Sequence, residues 1–174
     1  MANTTFSGPV RSEDGFDVVA KNSTTGAFTT EFSLDGSGLQ VTPITFSDAD
    51  TTLTATANAG RVNVVPAITG NRTLTLPSPT AGVSFKFVYG GAAEEAENLI
   101  IDTGADANFF IGGLVHIQSD ADSASVYSNG SSNSVLTLTD FGIFEINVLA
   151  KDSTNWIIWG YQEGADPPGF ADQS

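Results

Sequence analysis

The stretch "TLTLPSPTAGVSFKFVYG", Thr73 to Gly90, holds the pattern that decides the fold. Leu74 and Leu76 alternate with threonines, two prolines and a glycine interrupt, and then Val83, Phe85 and Phe87 alternate with Ser84 and Lys86. A period of two carried by aliphatic and aromatic residues is that of a strand with one wet face. Pro77 and Pro79 cannot donate to a ladder, so they belong at a sheet edge or in the loop between strands. A second stretch, "VLTLTDFGIFEINVLA", Val135 to Ala150, echoes the first: a Leu-Thr-Leu strand, a turn around Gly142, then Phe144, Ile146 and Val148 alternating with Glu145 and Asn147. The echo reads as two similar hairpins, one per sheet.

Outward from these stretches the same rhythm continues. "TLTATA" (52–57), "GRVNVV" (60–65), "NLIIDTG" (98–104), "FFIGGLVHIQ" (109–118), "SVYSNG" (125–130) and "NWIIWGYQ" (155–162) all read as short strands. Their spacing of roughly ten residues, with turn residues between, is that of an antiparallel sandwich or barrel. "AAEEAE" (92–97) is the one run that favours helix, and it is too short to be more than a single turn or a loop excursion. The Gly pairs of "VYGG" and "FIGGLV" suit bulges and tight turns, because no helix follows them to hold a phosphate.

Residues 1–45 differ. They mix Thr, Ser and Gly with single apolar residues and show no long periodic run, which predicts an extended N-terminal arm ahead of a domain at 46–174. Phe6, Phe16, Phe28 and Phe32 are spaced either as anchors that lie on a neighbouring surface or as fillers of the domain's own edge. Short pieces such as "DVVAK", with Val18 and Val19, are suited to adding as a strand to an exposed sheet edge. The fold class expected is therefore all-β: an antiparallel β-sandwich or jelly-roll-like barrel with an extended arm.

Composition narrows the chemistry. The 174 residues contain no Cys, so there is no disulfide framework, thiolate nucleophile or cysteine-held metal. Twenty acidic residues against six basic ones give a net charge of −14, which repels the phosphate backbone of nucleic acids. No apolar run approaches the length of a bilayer span, and the first sixteen residues lack the basic start and apolar core of a secretory leader. Neither nucleic acid nor a membrane is an expected partner, and assembly in the cytoplasm is the expectation.

"LIIDTGADANFF", Leu99 to Phe110, resembles the active-site turn of the retroviral aspartic proteases, with Asp102 in the place of the catalytic carboxylate. That family follows the turn with a distant flap and a closing helix. Here "FFIGGLV" follows at once, and Pro167 and Pro168 forbid a helix near the end of the chain. A strand running into a corner of Asp, Gly, Asp and Asn explains the same letters. No enzyme and no catalytic residue is expected. His116, between Val115 and Ile117, reads as a strand histidine facing solvent or a neighbouring chain. Asp48 with Asp50, and Asp120 with Asp122, could offer oxygens to calcium, but neither pair continues as a binding loop, and solvated loop ends are the default. No metal or cofactor is expected. Trp156 and Trp159 fall on opposite faces of one strand, so one fills a core while the other needs a cover or stays in water.

Taken together, "FSGPVRSEDGF" (6–16), "GRVNVVPAITGNRTLTLPSPTAGVSFKFVYGG" (60–91), "NLIIDTGADANFFIGG" (98–113), "VYSNGSSNSVLTL" (126–138) and "INVLAKDSTNWIIWG" (146–160) resemble the small structural proteins of marine tailed bacteriophages. The resemblance covers nearly the whole chain and is one of phrase and order. Within that group it points to a capsid decoration, or cement, protein. It implies a compact β domain, a homotrimer, a location on the virion's outer head surface, and the major capsid protein as partner. Candidate capsid or subunit contacts are then Phe6, Phe16, Val18, Val19, Phe28, Phe32 and Trp159. The alternative is a tail fibre or spike component with receptor or glycan binding, a role that exposed aromatics such as Tyr127 or Trp159 would serve.

Overall fold

The computed structural model describes residues 16–35, 38–118 and 122–173. The chain divides into two compact units, Met1–Thr42 and Pro43–Ser174. In the first, β1 (Phe16–Lys21), β2 (Phe28–Asp35) and β3 (Gly38–Gln40) form an antiparallel three-stranded sheet in the order β1-β2-β3. The segment expected as an extended arm thus folds back on itself. Asn22 makes the first reversal, its side-chain oxygen accepting from the amides of Thr24 and Thr25 at 2.9 Å each.

The second unit is a β-sandwich. Its strands are β4 (Ile44–Thr45), β5 (Thr51–Thr52), β6 (Val62–Val65), β7 (Arg72–Thr75), β8 (Ser84–Tyr89), β9 (Leu99–Asp102), β10 (Phe109–Ile117), β11 (Ala124–Tyr127), β12 (Val135–Leu138), β13 (Phe141–Ala150), β14 (Asn155–Gly164) and β15 (Gly169–Ala171). They form a seven-stranded sheet, β11-β10-β14-β13-β8-β6-β4, and a five-stranded sheet, β15-β12-β9-β7-β5.

Pairing within these sheets is mixed where antiparallel pairing was expected. From β4 to β10 the chain changes sheet at every step, so that β4, β6 and β8 run parallel in one sheet and β5, β7 and β9 run parallel in the other. β4–β5, β6–β7 and β8–β9 are successive coils of a short parallel solenoid. The remaining strands close it: β13 and β12 add antiparallel to β8 and β9, β14 adds to β13, and β10 returns parallel to β14. The two echoing stretches are therefore not hairpins. In each, the first strand lies in the smaller sheet and the second in the larger, with Pro77 and Pro79 in the first crossing and Asp140, at φ +40°, in the second. The breaks of eight residues (76–83) and two residues (139–140) each serve a hairpin or a crossing, so local spacing does not distinguish them.

One expected strand is mostly something else. In "TLTATA" only Thr52 lies within a strand, the buried Leu53 adds one more bond to the Thr75 carbonyl at 2.8 Å, and then the hydroxyl of Thr54 accepts the Ala57 amide at 3.1 Å and caps a one-turn helix, α1 (Ala55–Asn58). "AAEEAE" is loop, as expected.

The core lies between the sheets. Phe85 and Phe87 of β8, Phe144, Ile146 and Val148 of β13, and Trp156 and Ile158 of β14 face inward from the larger sheet. Leu74, Leu99, Ile101, Leu136 and Leu138 face them from the smaller one. Aromatic rings interlock tilted or edge to face, Phe85 with Trp156 at 5.8 Å and Phe141 with Tyr89 at 5.3 Å between centroids. Each fully buried side chain of this size contributes about 1.5–3 kcal/mol as an upper bound. Polar side chains stitch one coil to the next. Buried Asn63 of β6 donates to the Lys86 carbonyl of β8 at 3.2 Å, and Asn71 accepts the Asn98 amide at 2.9 Å.

Candidate functional site

In the seven-stranded sheet β8 and β13 turn polar residues outward, but β10 and β14 carry large apolar residues on both faces, which a sheet with one wet face does not need. In β10 the inward residues are Phe110, Leu114 and His116, while Val115 and Ile117 point outward and are exposed. In β14 Trp156 is fully buried and Trp159 is 47% exposed on the opposite face, as alternation requires. Ile143 and Tyr127 add to the same exposed set.

Register places these residues in rows across the outer face. One row runs Tyr127, Gly113, Trp159, Asn147, Lys86, because Gly113 pairs with Tyr127 on one side and Trp159 on the other, and Asn147 pairs with Trp159 and with Lys86. The next row runs Ser125, Val115, Tyr161, Glu145, Val88. Between the rows Lys86 Nζ lies 2.9 Å from Glu145 Oε1, and Asn147 Nδ2 donates to the same oxygen at 3.3 Å. Lys86 and then Asn147 hold the Glu145 carboxyl below the usual carboxylate range. Both charged groups stay more than a third exposed, so the pair adds little to stability and remains available to a ligand.

A cleft of about 430 Å³ opens at one end of this sheet, lined by Tyr89, Glu94, Gln118, Ile143, Glu163 and Ala165 among others. Three of its polar side chains, Tyr89, Glu94 and Gln118, are already engaged. Glu94 accepts the Ala165 amide at 2.7 Å, and Gln118 donates to the Ala165 carbonyl at 3.0 Å. The Tyr89 hydroxyl is shared between the Ala93 carbonyl, 2.7 Å away, and the Glu95 carboxylate; burial, then Glu95, pushes its pKa up. These contacts fasten the 91–97 loop to the end of the sheet.

Asp102 is a corner. Its carboxylate accepts the Gly104 amide at 2.6 Å and the side-chain amide of Gln173, while the Thr103 hydroxyl donates to carbonyls of Ala105 and Asn108 at 3.0 Å each. Gly104 takes φ +82°, with the Leu76 carbonyl against the space a side chain would fill. His116 is buried rather than facing solvent or a neighbour, with Nε2 2.8 Å from the Gly164 carbonyl. Asp48 and Asp50 are not loop ends awaiting a cation. Asp48 binds Arg72 Nε at 2.6 Å and Thr69 Oγ1 at 2.6 Å, and Asp50 accepts the Thr73 amide at 2.9 Å, so both tie the first coil to the second. Asp120 lies outside the described residues. Among the described residues no group of three or more His, Cys, Asp or Glu is placed to hold a metal ion, and no helix is long and apolar enough to cross a membrane.

Of the contact residues expected from sequence, Phe6 lies outside the described residues. Phe16 and Val18 fall on β1 and Phe32 on β2, where Val18 pairs with Phe32 and Phe16 with Leu34. Val19 is 46% and Phe28 66% exposed, with Lys21 Nζ 5.7 Å above the Phe28 ring. Trp159 belongs to the other unit. The neighbours that matter to Trp159, namely Gly113, Asn147, Glu145 and Lys86, carry no sequence mark, because the parallel return of β10 onto β14 is what brings them together. The one local hint is the glycine pair in "FIGGLV". Compared with known protein families the chain matches none, and no curated protein is similar enough to count as a relative.

Proposed function

We propose that this chain is a structural protein of a tailed-phage particle, a capsid decoration protein bound to the outer head surface through the major capsid protein and acting as a homotrimer. The observation that carries the proposal is the division at Thr42/Pro43. The second unit has a complete core of its own. The first has no Cys to staple it and is near the size below which a chain needs a partner to stay folded, and it presents Val19 and Phe28 to water. Docking those residues on a subunit of the head stabilises both partners, and several such contacts per trimer raise the effective affinity. The resemblance of the sequence to phage structural proteins motivates the same reading. The chemistry required is adhesion alone, consistent with an Asp102 carboxylate engaged by the Gly104 amide of its own turn and by the Gln173 side-chain amide.

Mixing the purified chain with undecorated heads and sedimenting them tests the proposal. High-copy, saturable binding is expected, and the exposed-site variant Val19→Ser/Phe28→Ser is expected to bind less. Copurification with tails in low copy number, or a light-scattering mass of a single chain with no binding to heads, would overturn it.

A further inference from the structure

We propose that the outer face of the seven-stranded sheet binds neutral hexose glycans on a platform made by Tyr127, Gly113 and Trp159. This goes beyond the decoration proposal and does not depend on it.

Gly113 is the register partner of both aromatic residues. A Cβ at Gly113 would meet the Val126 carbonyl oxygen at 2.2 Å and Tyr127 Cδ1 at 2.8 Å, so β11 and the tyrosine ring lie close against the glycine backbone. Trp159 rises from the far side of the same glycine, two strand spacings or about 10 Å away. Tyr127 is 71% and Trp159 47% exposed, so both rings are open to solvent on the same face of the sheet. Next along the row comes Asn147, then Lys86, with Glu145 bonded to both. An aromatic floor is thus bordered on one side by an amide, an ammonium and a carboxylate.

A pyranose matches this arrangement in two ways. Its C–H face carries slight positive charge and stacks on the electron-rich face of an aromatic ring. Its hydroxyl rim needs donors and acceptors close together, and charged groups make the stronger bonds. The span of the platform is that of a disaccharide. Net charge decides the class of sugar: at −14 the chain disfavours acidic polysaccharides, teichoic-type polymers and nucleic acids, leaving neutral glycans. A second copy is disfavoured as the occupant of this face because it would have to desolvate the Lys86–Glu145 pair.

The full chain can be tested with cello-, laminari-, manno- and galacto-tetraose, with an alginate oligosaccharide as the acidic control. Trp156 is fully buried, so ligand-induced changes in tryptophan emission and in acrylamide quenching report Trp159. At least one neutral tetraose is expected to shift the emission and slow quenching, and the acidic one is not. Trp159→Ala and Tyr127→Ala, each shown folded by circular dichroism, are expected to weaken binding about tenfold or more, and Tyr127→Phe to retain it. The proposal is overturned if none of the neutral sugars acts at about 10 mM, or if binding survives Trp159→Ala. It is overturned equally if Trp159 is already shielded from acrylamide in a ligand-free oligomer, which would make a second copy the occupant. Heads are not used, so failure here leaves the decoration proposal standing, and the reverse holds too.

Discussion

Asp48 shows how a carboxylate that looks like a ligand becomes a structural fastener. Its bond to Arg72, then that to the Thr69 hydroxyl, hold its carboxyl below the usual carboxylate range. A carboxyl whose pKa is lowered by folding contributes stability above its unfolded value, and loses that contribution as pH falls through the folded value. Asp48→Asn is therefore expected to be less stable than the parent at about pH 7, with the gap narrowing at about pH 3. Thermal melts at the two pH values check this, and an unchanged gap would remove Asp48 as the cause. Asp152 works in the same way in the β13–β14 turn, where the Asn155 side-chain amide at 3.0 Å, then the backbone amides of Thr154 and Asn155 at 2.8 Å each, hold its carboxyl low.

The strands were legible one at a time and their partners were not. Phe85, Phe87, Phe144, Ile146 and Val148 all point inward as their alternation predicts, and Trp156 and Trp159 fall on opposite faces. Alternation is a property of a single chain segment, so the letters carry it. Which strand lies beside which depends on crossings between sheets, and the two-residue strands β4 and β5 are too short to leave any pattern. The platform was half legible for the same reason: Tyr127 and Trp159 stand out as aromatics, but their shared glycine is a matter of register. Gly112 tests the parallel join of β10 and β14. It has φ +114°, and a Cβ there would meet the Ile158 carbonyl oxygen at 2.3 Å. Gly112→Ala is expected to cost about 2–3 kcal/mol by urea unfolding. Gly169→Ala, at a position with open space around it, is expected to be near neutral. Equal effects would mean that the close approach is not there.

At the scale of the molecule, the second unit carries a buried core of its own, so a chain that begins at Pro43 is expected to keep the far-ultraviolet signature of β structure and to melt cooperatively. A broad, non-cooperative melt would show that the sandwich depends on residues 1–42. The solenoid also governs time. Strands that touch in parallel are never consecutive: β6 can receive β8 only after β7 has crossed to the other sheet, and β10 must wait for β14. Such ordering pays loop-closure entropy before contacts repay it, which puts folding at about milliseconds to seconds. During that interval unpaired edges are open to other chains. The net charge of −14 keeps half-folded copies apart while they wait, so the acidity that shapes what the finished surface can bind also protects the chain on its way there.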